Sequence, residues 1–292
     1  MDAASAVRRF GGIATRSQLA TVGLSGFDLT AAVRRGEIWR VRRAHYATSG
    51  ALPDAVHAVR IGGRLAGTSA ARSFGIWAGF DQRLHVALAV NAGRLRTNLP
   101  PSVAEEVTPD SSSRESVLHW VRTAPGQDCW RVPVTDCVRQ VVDWADAETA
   151  VACLDTARDK FGWNDAHIAS MFRAASAEQR VRSLASRPGS DAGTESVVRQ
   201  RLARIGISVR QQVAIAGVGR VDMIVKGTKV VVEVDGKSYH RAKESFENDR
   251  RRDADLAARG YVVVRLSFAQ VFGNWPWCER VVAETVTQFR NL

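Results

Sequence analysis

The chain has 292 residues, 45% of them hydrophobic and 24% charged, enough apolar content for globular cores and too much for wholesale disorder. At roughly 100–200 residues per domain, this length predicts two domains or three small ones, and the absence of any run of about 18 apolar residues excludes a membrane-spanning helix. Lys+Arg (41) exceed Asp+Glu (30) by +11, a field that attracts polyanions and puts nucleic acid first among candidate partners.

In chain order, Met1-Asp2-Ala3-Ala4 carries no charged stretch leading into an apolar run, so no secretory signal is expected and a cytoplasmic location is. Thr15-Arg16-Ser17-Gln18 is a capping box ahead of Leu19, Ala20 and Val22, which predicts a short helix ended by Gly23. Ser25-Gly26-Phe27-Asp28 opens a second helix through Leu29, Ala32 and Val33 to Gly36. Ile38–Arg43 alternates, and His45–Thr48 can return beside it as a hairpin partner. Two helices joined by a tight turn and followed by a basic hairpin predict a winged helix-turn-helix over 1–52. Residues 1–50 hold eight arginines against three acids. Arg34 and Arg35 end the second helix and Arg40, Arg42 and Arg43 stud the hairpin, where phosphate-facing cations are needed for groove docking.

The run from Phe10 to Ala20, with Ala32-Val-Arg-Arg-Gly-Glu-Ile-Trp-Arg-Val41, resembles the N-terminal winged-helix domain of AbiE-type antitoxins over about 50 residues. That resemblance implies DNA binding at these arginines, and it names a cognate toxin, beside a homo-oligomer, as a candidate protein partner.

Residues 53–187 read as an α/β connector. A helix is predicted through Ala55–Leu65 and another from Thr68. Strands are predicted at Leu84–Val90, Val117–Arg122 and Trp130–Val134, and helices near 136–144, 147–160, 164–174 and 177–185. His85 on an apolar strand, and His119 beside Trp120, read as satisfied core residues. The four cysteines, Cys129, Cys137, Cys153 and Cys278, form no Cys-x-x-Cys pair, which excludes the common zinc-ribbon spacing and points to reduced thiols. Ser186–Thr194 is rich in Pro, Gly and Ser and is the best domain boundary the sequence offers.

From Thr194, read as a helix cap, the pattern is compact. A helix runs to Gly206, strands follow at Val209–Ile215, Arg220–Val225 and Lys229–Asp235, then a helix over Ala242–Arg259, a strand at Tyr261–Leu266 and a closing helix around Cys278–Phe289. Three acids interrupt these apolar strands. Glu233 and Asp235 lie two apart and share a face, and Asp222 sits on the strand before. Left alone they would repel one another, so removing one is expected to leave metal-free stability level or higher. A hard divalent ion bound by carboxylates resolves the conflict, Mg²⁺ first, with Mn²⁺ as substitute. The plainer reading, acids at a strand end facing water or pairing with Lys237 and Arg241, stands beside it.

Glu195 on the first helix, Asp222, Glu233-Val-Asp-Gly236, His240 and Asp249-Arg-Arg-Arg252-Asp253 together resemble the PD-(D/E)XK nuclease core over 194–292, in the branch similar to very-short-patch repair endonucleases. The resemblance implies a mixed α/β multidomain chain with a restriction-endonuclease-like αβββαβ core. It also implies that Asp222 and Glu233 hold the metal, with Glu195 in support, and that the reaction is hydrolysis of a DNA phosphodiester in DNA repair or phage defence. Asp235 stands where the wider superfamily usually has lysine, which leaves the general base open between Lys237 and His240. Arg252 reads as a phosphate-facing or structural partner of the acids, oriented by Asp249 and Asp253. The alternative is an antitoxin-type DNA-binding regulator whose nuclease fold is inactive, and the same site suits RNA as well as single- or double-stranded DNA. No His-Glu-x-x-His, Gly-x-Ser-x-Gly or phosphate loop is present, and Gly217-Val-Gly219 lacks the third glycine of a dinucleotide site.

Overall fold

The capping signals in the first fifty residues form where the sequence places them. A computed structural model describes residues 1–93, 95–96, 115–122, 124, 126–190, 192–235 and 243–289, the side chains of 243–249 excepted. Helix α1 (Ala3–Arg9) is capped by Asp2, whose Oδ1 accepts the Ser5 N–H at 2.8 Å. Strand β1 (Ile13–Thr15) leads into α2 (Arg16–Thr21), where Thr15 and Gln18 exchange both capping-box hydrogen bonds. Helix α3 (Gly26–Arg34) repeats the device with Ser25 and Asp28. Strands β2 (Trp39–Arg42) and β3 (His45–Ala47) make an antiparallel hairpin, and β1 adds to its other side, giving a sheet in the order β1-β3-β2. Ala6, Val7, Leu19, Leu29, Ala32 and Ile38 bury their side chains together as the core of this segment.

Next come α4 (Pro53–Ile61), β4 (Arg64–Leu65), α5 (Gly67–Ser73), β5 (Leu84–Leu88), β6 (Ser116–Trp120) and α6 (Val134–Trp144). The second sheet has the order β4-β5-β6, antiparallel then parallel. The helix expected to reach Leu65 stops at Ile61, because Gly62 takes φ 125° and turns the chain into β4. No strand forms over Trp130–Val134. Only an isolated bridge joins Leu65 to Arg131, and Val134 already starts α6. His85 is the satisfied core residue expected. Its Nε2 lies 2.9 Å from Asp81 Oδ2 and its Nδ1 shares a 3.0 Å hydrogen bond with His119 Nε2. The His119 ring stacks on Trp144 with centroids 3.7 Å apart.

The chain divides into two compact units, Met1–Ala145 and Asp146–Leu292. This division lies well before the Pro/Gly/Ser stretch at 186–194. Helices α7 (Ala147–Phe161), α8 (Asp165–Met171) and α9 (Ala177–Ala185), read from sequence as connector, belong to the second unit with α10 (Gly193–Arg204). The reason is a buried polar junction. Asp155 on α7, fully buried, accepts the Ser196 hydroxyl at 2.6 Å, Arg199 Nη2 at 2.8 Å and the Arg187 N–H at 2.8 Å. Ser186 and Ser190 are buried too, so small polar composition marks a packed turn here and not a free linker. Helix α10 begins at Gly193 with Ala192 at its N-cap and no side-chain cap, which puts Thr194 inside its first turn.

The rest of the second unit is β7 (Val209–Ile215), β8 (Gly219–Val225), β9 (Val230–Asp235), α11 (Lys243–Ala258), β10 (Val262–Ser267), α12 (Phe268–Gly273) and α13 (Trp275–Gln288). Its sheet has the order β10-β9-β8-β7. The three meander strands are antiparallel, and β10 returns parallel to β9. Val230, Val231 and Val232 are all fully buried, so β9 is covered on both faces. Among the described residues no helix is long and apolar enough to cross a membrane.

Candidate active site

The sheet register assembles the acids. Met223 pairs with Val232 and Ile224 with Val231 across β8 and β9. Continuing that register by one residue places Asp222 opposite Glu233. There the side chain replaces the backbone ladder: the Val234 N–H donates to Asp222 Oδ2 at 2.9 Å. Asp235 ends β9 half-buried, on the rung of Ser267.

Glu233 is the buried member, 7% exposed, and its charge is met by two guanidinium groups. On the parallel rung Arg265 stands beside it, with Nε 3.2 Å from Glu233 Oε2. Arg252, on α11, brings Nη2 to 2.7 Å from Oε1 while also donating to the Arg220 carbonyl at 2.6 Å. The Arg252 contact is a charge contact without hydrogen-bond geometry, so Oε1 remains a buried oxygen with no hydrogen-bond donor. Arg265 is tied as well to both carboxylate oxygens of Asp253, one of them at 2.9 Å. Those bonds to Asp253 and the charge of Glu233 push the Arg265 pKa above its usual value, against the opposing effect of burial.

Glu195 lies in the first turn of α10, and its Oε2 accepts a hydrogen bond from Gln212 Nε2 at 3.0 Å. Gln212 adopts a left-handed backbone, φ 48°, uncommon for a residue with a side chain. The neighbouring Gln211 reaches Ser190 Oγ at 2.5 Å, so both amides are directed at the segment that starts α10.

The structure therefore brings together Asp222, Glu233 and Arg252 of the expected residues, with Asp235 at the same strand end. Asp253 engages Arg265 and not Arg252, and the Asp249 side chain lies outside the described residues, as do Lys237 and His240. Sequence reasoning counts Val264-Arg265-Leu266 in the nuclease resemblance without giving Arg265 a role, and it passes over Gln212. The parallel pairing of β9 with β10 puts Arg265 beside Glu233, and nothing in one chain's sequence fixes that register. Gln212 carried no signal, since a left-handed glutamine is not legible from composition.

In the first unit the arginines divide. Arg34, Arg40 and Arg43 are exposed, and Arg35 is exposed but paired with Glu37 at 2.7 Å. Arg42 turns inward, donating to the Val59 carbonyl at 3.3 Å, and its burial lowers its pKa.

Whether these donors suit a divalent ion turns on their number and hardness. Among the described residues no group of three or more His, Cys, Asp or Glu converges to hold a metal. Magnesium needs less than that: it keeps several waters and is commonly bound by one or two carboxylates plus substrate phosphate. Asp222 and Glu233 are hard oxygen donors on facing rungs, so their chemistry fits such an ion, with Arg252 already standing 2.7 Å from Glu233 Oε1.

Residues 195–282 match the restriction-endonuclease-like family REase_MTES_1575, so this stretch is a nuclease-like domain. Among solved structures the chain is similar to the homing endonuclease I-Bth0305I catalytic domain, at 18% identity over 32% of this chain and 94% of that one, with a TM-score of 0.29. No curated protein matches the chain.

Proposed function

We propose that the chain is a metal-dependent endonuclease that hydrolyses DNA phosphodiesters with its second unit and finds DNA with a winged helix at its N-terminus. The observation that carries this is the facing pair of acids Asp222 and Glu233 inside the stretch that matches a restriction-endonuclease-like family. In the reaction, water attacks phosphorus and gives its proton to a general base, for which Lys237 and His240 are the candidates, while the bond to the leaving oxygen breaks and that oxygen takes up a proton from solvent. A bound Mg²⁺ supplies a lower pKa for that water and stabilisation of charge on the transferring phosphoryl group.

The chain's own residues supply position. Asp222 is held by the Val234 N–H at the mouth of the β8–β9 pair. Arg252 and Arg265 fix the Glu233 carboxylate from two sides, one from α11 and one from β10. Their planar guanidinium donors also match the negative oxygens of a phosphate. Glu195 is held away from free rotation by Gln212. In the first unit, the sheet β1-β3-β2 and the helices α2 and α3, which share a core through Ala14, Leu19, Leu29 and Ala32, support the winged-helix reading, with Arg34, Arg40 and Arg43 as its exposed cations.

A second reading, an antitoxin-type regulator that binds DNA without cutting it, is favoured by one specific observation: two guanidinium groups already neutralise Glu233. Cleavage assays separate the two. Wild-type chain is expected to cut duplex, single-stranded, nicked or mismatched DNA with Mg²⁺ or Mn²⁺ and not with EDTA, while Asp222→Asn and Glu233→Gln lose cutting by orders of magnitude and keep DNA binding. Binding without cleavage of any DNA or RNA, in either metal, would establish the regulator reading instead.

A further inference from the structure

Away from the acids, the second unit has a cleft of about 460 Å³ on which four cations converge, Arg187, Arg199, Arg210 and Lys226, over a floor that includes Ile207 and Val209. Among the described residues no acidic side chain lines it. Arg187, Arg210 and Lys226 are exposed. The Arg187 guanidinium donates to the Leu184 and Ser186 carbonyls, at 2.6 and 2.7 Å, which orient it without neutralising it. Arg199 is built differently. Its Nη2 is held at 2.8 Å by Asp155, which has no exposure of its own, so the fork is fixed before any ligand arrives. Its Nε is buried without a hydrogen-bond partner.

Like charges sharing one cleft repel, and Asp155 offsets a single one of the four. An anion relieves the rest. Guanidinium groups match the paired oxygens of a phosphate, and a lysine adds a point charge to it. The apolar floor suits a sugar or base more than a bare ion. Position then narrows the ligand further. The cleft lies at the end of the sheet opposite the acids, where β7 begins and β8 ends. Lys226 is four residues beyond Asp222 along β8 and its continuation, roughly 13 Å at about 3.3 Å per residue. At about 3.4 Å of rise per nucleotide of one strand, that is about four nucleotides.

We infer that this cleft is a second nucleic-acid site of the second unit, taking the phosphodiester backbone of the bound strand about four nucleotides from the phosphate at Asp222 and Glu233. The inference rests on the nuclease reading for the location of that phosphate. Composition alone sets Arg187 in a linker and so leaves the cluster unassembled.

The test uses the full chain in EDTA, so that binding is read without cutting. Arg210→Ala/Lys226→Ala and the reversal Arg210→Glu/Lys226→Glu change exposed side chains only, and thermal unfolding checks that both fold. Fluorescence anisotropy with a 24-base-pair duplex, from 50 to 200 mM NaCl, reads affinity and salt slope. The alanine pair is expected to weaken binding about tenfold at 100 mM and to make the slope of log K against log salt shallower by nearly 2, at about 0.9 for each phosphate no longer neutralised. The reversal is expected to weaken it further. The N-terminal arginines contribute equally to wild type and variants, so the difference isolates the cleft. Unchanged affinity and slope in folded variants overturns the cleft and leaves the nuclease reading standing. A mononucleotide that stabilises wild type while the variants keep full DNA affinity also overturns it, assigning the cleft to a free nucleotide. Wild type that binds no DNA overturns both.

Discussion

Replacing Glu233 by Gln keeps the size of a side chain that is 10% exposed and removes its charge. From the acids alone, relief of repulsion would leave stability level or raise it. The two guanidinium groups reverse the sign. Arg252 loses the carboxylate at 2.7 Å and keeps the Arg220 carbonyl, while Arg265 keeps Asp253. Breaking a fully buried pair by deleting one partner costs about 3–5 kcal/mol, and an exposed pair is worth less than about 1 kcal/mol. The side chains of Arg252 and Arg265 are 29% and 39% exposed, between those limits, and one of the two retains a carboxylate partner. The expected loss is about 1–2 kcal/mol, most of it through Arg252. For a domain of this size that lowers Tm by about 3–6 °C. Calorimetry and urea unfolding in EDTA measure it, and adding Arg252→Met completes a cycle whose coupling should approach about 1 kcal/mol. A Glu233→Gln protein as stable as wild type, or more so, would refute the argument that these cations hold the acid.

Asp155→Ala strips the carboxylate from a junction that also holds Ser196, Arg199 and the Arg187 N–H; we expect about 3–5 kcal/mol of lost stability by urea unfolding, and a loss below about 1 kcal/mol would deny the junction its structural role. Burial, then the charges of His85 and Arg83, lowers the His119 pKa to about 4 from 6.5. The unfolded chain therefore binds more protons between those values, and stability should fall as pH drops from 6.5 toward 4. His119→Gln should flatten that dependence, and an unchanged pH profile of the urea midpoint would contradict it. Replacing Arg40 and Arg43 with Ala, and leaving the inward-turned Arg42, should weaken DNA binding and reduce its salt slope by about 1.8 if both touch phosphate; Arg42→Ala should instead lower stability with the slope unchanged.

Local signals were legible and long-range ones were not. Thr15/Gln18 and Ser25/Asp28 mark helix starts because the capping bonds span three residues, a distance that any reader of the chain can see. The alternation of apolar and acidic residues in Val230–Asp235 placed Glu233 and Asp235 on one face for the same reason. What joins distant positions was hidden. Composition at 186–194 suggested a linker, yet the Arg187 and Gly189 N–H groups bond Asp155 and Asp159, about thirty residues earlier. Asp253 was paired with Arg252 on helical spacing, whereas the fold gives it Arg265 from the next strand. In each case a polar group chose its partner by tertiary position, and single-sequence spacing contains no information about that choice.

The same limit bears on Asp235. In the nuclease core that residues 194–292 resemble, a lysine usually stands at that place, a side chain whose chemistry allows two things: a positive charge beside the acid two residues earlier, and a proton that can be given up. Here the charge beside Glu233 comes from its neighbour on the parallel rung, Arg265, and from Arg252 on α11. Those two groups suffice for the first task, because a guanidinium is cationic under all working conditions and orients a carboxylate through fixed donors. They fail at the second for the same reason, since an arginine in a protein does not deprotonate and cannot take a proton from water. Under the proposed reading, Arg265 on β10 and Arg252 on α11 would supply the charge beside Glu233, and proton transfer would fall to a group other than these, with Lys237 and His240 the candidates that follow the same strand in sequence.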